Sequence, residues 1–177
     1  MNLAASAPSW VLALVTILLL AGAAEDLSRF RISNFISLGV LATAIVAMAL
    51  AGFQVILWQN LLVFALILLI GTLLFSFGFF GGGDVKLFAA CGLWFSLVGA
   101  IKLVSAIFLA GGALALIILC FRRVRGKKRG TPRQGKNAAA GSIPYGVAIA
   151  VGAIFALVTP SNHASSRTDI IGLGRSI

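Results

Sequence analysis

Acid is scarce in this chain: Asp and Glu together number 4 among 177 residues. Two of the four, Asp26 and Asp84, stand where long apolar segments meet short basic or glycine-rich loops. A carboxylate at the edge of hydrocarbon is costly unless it is paired or used, so each is a functional candidate by default. Two carboxylates held close together cannot easily both ionise. They share a proton, and one then activates water as a base while the other polarises a carbonyl as an acid. That is the chemistry of an aspartyl protease, and it requires Asp26 and Asp84 to meet.

Asp26 follows Glu25 at the carboxyl end of the first apolar segment and opens the stretch Asp26-Leu27-Ser28-Arg29-Phe30-Arg31-Ile32-Ser33-Asn34. An ion pair with Arg29 or Arg31 would also explain Asp26, and Asn34 is a candidate helix cap. Asp84 follows Gly81, Gly82 and Gly83 at the amino end of another apolar segment. The glycines remove side-chain bulk and permit positive φ, so another backbone, such as an extended peptide, could approach there. Capping alone would also account for Asp84. A phosphate loop is excluded, because the Walker spacing is absent and an aspartate repels phosphate. Helix dipoles favour negative charge at amino ends and disfavour it at carboxyl ends. The expected asymmetry therefore has Asp84 holding the charge and Asp26 the proton.

The elements that must position the two aspartates are membrane helices. The chain is 60% hydrophobic and 10% charged, with a mean hydropathy of +1.10, a composition suited to a bilayer. Runs such as residues 61–69 are apolar on every side, which excludes the period-two pattern of a transmembrane barrel. The expected fold is all-α and polytopic. About six spans are predicted, over residues 8–24, 32–52, 55–77, 85–101, 103–121 and 143–158, each near the roughly 20 residues a span needs. The fourth and fifth are divided only at Lys102. A transmembrane domain over residues 1–160 and a polar tail over 161–177 follow, and His163 in that tail is isolated. Cys91 and Cys120 form no CxxC pair, so neither a zinc site nor a disulfide is indicated. The proposed chemistry calls for no metal and no cofactor.

The net charge of +10 is distributed for topology rather than for nucleic acid. Arg122, Arg123, Arg125, Lys127, Lys128, Arg129, Arg133 and Lys136 fall in what reads as one loop without an acid, which marks a cytoplasmic side. By alternation the segments carrying Arg29, Arg31, Asp84 and Lys86 face the cytoplasm as well, and both termini lie outside. Trp10 and Trp58 fall near the outer interface, with Trp94 deeper. A signal peptide cleaved near residues 21–24 is disfavoured, because basic residues follow the first apolar run instead of preceding it.

These residues resemble the prepilin peptidases of the GxGD aspartyl protease group. Gly81-Gly82-Gly83-Asp84-Val85-Lys86-Leu87 matches one family motif. Asp26 with Arg31-Ile32-Ser33-Asn34 matches another, with Ser33 in place of the usual proline, and Ile143-Pro144-Tyr145-Gly146 is similar to a third. The resemblance implies that Asp26 and Asp84 are catalytic. Gly81, Gly82, Gly83, Lys86 and Arg31 are candidate substrate contacts. The implied substrate is a prepilin or pseudopilin whose basic leader is cut on the cytoplasmic face of a bacterial inner membrane, just before a hydrophobic helix. Larger bacterial members carry a cysteine-bearing domain after the first helix and methylate the new amino terminus. Only Leu27 to Arg31 stands there in this chain, which argues against methylation. The short architecture most resembles the peptidases of tight-adherence (Flp) pilus systems, with archaeal preflagellin peptidases a related group. The competing class is a transporter or structural membrane subunit that uses the aspartates for ion binding or helix anchoring. Such folds often place charge near the bilayer midplane and show internal repeats, whereas these aspartates lie near span ends and no repeat is visible.

Overall fold

The computed structural model describes residues 3–29, 31–52, 57–78, 80–124 and 145–159. Most of these residues are helical, with no strand among them: α1 (Leu3–Ser6), α2 (Ser9–Arg29), α3 (Asn34–Leu50), α4 (Trp58–Ser76), α5 (Gly82–Gly92), α6 (Leu97–Val124) and α7 (Tyr145–Val158). Three segments, Ser9–Arg29, Trp58–Ser76 and Leu97–Phe121, are long and apolar enough to cross a membrane; Asn34–Leu50 and Tyr145–Val158 are shorter apolar helices. With large hydrophobic side chains such as Leu69, Leu109 and Leu116 pointing outward, this is an all-α membrane protein whose exterior suits lipid. The predicted tail and most of the basic loop lie outside the described residues.

The bundle is assembled around α5 and α7. α5 packs on α4, α3 and α7, while α7 packs on α6, α2 and α5. Small residues make this possible. Ala148, Ala150, Gly152 and Ala153 are buried on α7, and a Cβ on Gly152 would lie 2.6 Å from Ile107 Cα, so α6 and α7 approach at backbone distance, as small residues permit in membranes.

The division between the fourth and fifth predicted spans moves. α5 ends at Gly92 and α6 begins at Leu97, so Lys102 lies inside α6. Two distant donors satisfy carbonyls that the end of α5 leaves open: Asn60 Nδ2 donates to Leu93 O at 3.0 Å and Leu3 N–H donates to Trp94 O at 3.0 Å. Ser96 Oγ then accepts from Gly99 N–H at 3.5 Å, capping α6. Trp94 and Phe95 fill the interior beside the break. Hydropathy is blind to this stop because residues 93–101 are apolar almost throughout. α6 also runs further than predicted, so Arg122 and Arg123 belong to its last turns rather than to a loop.

Candidate active site

Asp26 lies in the last turns of α2 and is buried. Its Oδ2 accepts from Gly146 N–H at 2.7 Å, and Val147 N–H also donates to the carboxylate. These are free amides at the start of α7, donors that the helix itself cannot use. Arg29 and Arg31 are exposed, so backbone amides, not a guanidinium, hold Asp26.

Asp84 is the third residue of α5, whose N-cap is Gly81. Its carboxylate accepts from Gly81 N–H, the return half of a capping box. Burial first, and the Asp26 carboxylate second, push the Asp84 carboxyl up to about 6, with the Gly81 amide opposing the shift. The two carboxylates, 58 positions apart in sequence, therefore feel each other's charge. The expected asymmetry considered each aspartate's own helix; α7 adds an amino end beside Asp26 from elsewhere in the chain, so both aspartates sit at helix amino ends.

Three glycines and one isoleucine set the spacing. A Cβ on Gly81 would lie 2.7 Å from Asp84 Oδ2, one on Gly83 2.9 Å from Ile32 O, and one on Gly146 2.8 Å from Asp26 Oδ2 and 2.6 Å from Ile32 Cδ1. Ile32, buried in the connector between α2 and α3, thus wedges between α5 and α7 where each carries or cradles an aspartate. The expectation for Gly81 to Gly83 changes accordingly. Gly81 has φ −76°, Gly82 and Gly83 are helical, and among the described residues the positive-φ glycines are Gly52 and Gly78. The backbone that Gly83 admits is the chain's own.

The remaining predicted residues are structural links or are exposed. Lys86 Nζ donates to Asn34 Oδ1 at 3.0 Å, tying α5 to α3, and Arg31 is exposed. The cap of α3 is Ser33 rather than Asn34: Ser33 Oγ accepts from Phe35 N–H at 3.3 Å. Ser33 N–H in turn donates to Glu25 Oε2 at 3.0 Å. A proline at position 33 could not make that bond. Sequence reasoning missed Glu25, Ile32 and the donor role of Gly146. Only the Tyr145-Gly146 motif pointed toward the last of these, and without a role.

Neither a curated protein nor a solved structure matches the chain. The family profile described as type IV leader peptidase matches residues 13–120, a stretch that includes both aspartates. With well over half the chain so matched, this protein belongs to the type IV leader peptidase family.

Proposed function

We propose that the protein is an aspartyl endopeptidase that removes the basic leaders of prepilins or pseudopilins, with water activated between Asp26 and Asp84. The observation that carries this reading is that two carboxylates from separate helices lie near enough to feel each other's charge, one of them held by the amino end of a third helix. Asp26, ionised on the α7 amides, accepts a proton from water as the water attacks the scissile carbonyl. Asp84, protonated, donates a hydrogen bond to the carbonyl oxygen and stabilises its developing charge. Collapse of the tetrahedral intermediate releases the amine, which takes up the proton held by the pair.

The dyad end of the bundle is also its basic end, with Arg29, Arg31, Lys86, Arg122 and Arg123 there and Lys102 toward the opposite end of α6. An excess of Lys and Arg near helix ends supports a cytoplasmic location, and hence a cut on the cytoplasmic side of the inner membrane. The short connector after Asp26 favours the tight-adherence pilus type. Co-expression with a small prepilin from the same organism, with leader removal followed by gel shift, tests the reading. Wild type cleaves, and Asp26→Asn or Asp84→Asn loses about 10²- to 10⁴-fold in rate at equal membrane levels. Full cleavage by either variant removes that aspartate from the mechanism.

A further inference from the structure

α6 leans on α7 and stands away from α5, leaving an apolar groove along the bundle. One part, of about 270 Å³, is lined by Phe80, Phe88, Phe108, Gly112 and Tyr145 among others. A second part, of about 150 Å³, shares Phe80, Phe88 and Phe108 and extends toward α4. The groove lies beside the dyad. Phe88 lies four residues after Asp84 and therefore on the same face of α5, and Tyr145 immediately precedes the amide that holds Asp26. The Phe80 and Tyr145 rings meet at its mouth, with centroids 5.4 Å apart.

Gly112 shows what the groove lacks. Glycine in a helix interior costs stability, and glycines such as Gly71, Gly92 and Gly152 relieve contacts that a Cβ would make. A Cβ on Gly112 would meet nothing within 4 Å. Beside it Phe108 is 64% exposed. Among the described residues nothing requires residue 112 to be small; its smallness leaves α6 open to a further segment.

We propose that this groove receives the apolar segment of the substrate that follows the scissile bond. The assignment rests on the peptidase reading above and specifies how that site holds its substrate. A bond cut at the edge of an apolar segment must reach the dyad while the segment remains in hydrocarbon, and this groove begins beside the dyad and runs along apolar side chains. The chain's own residues 125–144, which lead into Tyr145, carry Arg125, Lys127, Lys128, Arg129, Arg133 and Lys136 and do not suit it. A larger cavity of about 380 Å³, lined by Leu41, Phe64 and Lys86 among others, lies on the other side of α5, because Lys86 is about 200° around the helix from Asp84. That cavity serves as the control.

The test is disulfide trapping in the full chain. Cys91 and Cys120 are replaced by alanine, Asp84→Asn holds the substrate uncleaved, and a single cysteine is placed by Gly112→Cys or Leu41→Cys. The probe is a small prepilin with single cysteines scanned through its apolar segment. Crosslinks from position 112, and not 41, to the first turns after the scissile bond are expected. In the active enzyme Gly112→Trp lowers kcat/KM at least about tenfold by filling the groove, with unchanged thermal stability, while Leu41→Trp leaves cleavage intact. Crosslinks from position 41 alone, or an undiminished Gly112→Trp enzyme, would overturn the groove while leaving the peptidase reading in place. Crosslinks from position 112 without any wild-type cleavage would instead sink the peptidase reading and keep the docking.

Discussion

At the scale of single residues, the proposed mechanism makes the proton shared by the two aspartates set the pH response. Asp84 is pushed up to about 6 from its ordinary 3.8, so it retains its proton below that pH and loses it above. Cleavage of a prepilin is therefore expected to fall as pH rises through about 6, because the acid that polarises the carbonyl disappears. A rate profile flat across that range would show that Asp84 does not act as the acid. Gly146 admits no side chain: Gly146→Ala would drive a methyl into Asp26 and Ile32. Displacement of a reacting group by an ångström costs about 10²-fold, and a loss of that order at normal expression is the expected result. Glu25 acts one step away. Its bond from Ser33 N–H fixes the connector that a proline would stiffen covalently. Glu25→Ala should lower stability by roughly 1–3 kcal/mol in thermal melts, whereas Glu25→Gln keeps an acceptor and should stay close to wild type.

At the scale of elements, the stop between α5 and α6 decides how deep the Asp84 helix reaches. Eleven residues give α5 a length of about 16 Å, roughly half the hydrocarbon thickness. Asn60→Leu would leave the Leu93 carbonyl without its side-chain donor. It should destabilise the protein by about 1–3 kcal/mol, a shift readable by thermal melting in detergent. Asp26 and Asp84 could be picked out from sequence because charge is rare in an apolar chain, and Asp84 could be placed at a helix start because three glycines precede it. The stop at residues 93–96 could not, since its determinants are Asn60 and Leu3, residues remote in sequence that supply donors only after folding. The same reason hid the amide partner of Asp26, 120 residues away. Helix ends written in local composition were legible; helix ends and charges stabilised by tertiary contacts were not.

At the scale of the whole molecule, the basic residues of the dyad end imply an orientation that labelling can check. Arg31→Cys and Lys102→Cys in a cysteine-free background should differ in reactivity toward an impermeant maleimide added to intact cells: position 102 labels from outside, position 31 only after permeabilisation. The opposite pattern would place the dyad away from the cytoplasm. The seat of Asp26 at the start of α7 also bears on biogenesis. Both aspartates leave the ribosome before Gly146 does, and the long basic stretch of residues 125–144 separates them from it. During synthesis the chain carries both carboxylates but lacks the amides that orient one of them. On the proposed mechanism the peptidase is therefore latent until α7 has entered the membrane, and proteolytic competence arrives with that insertion.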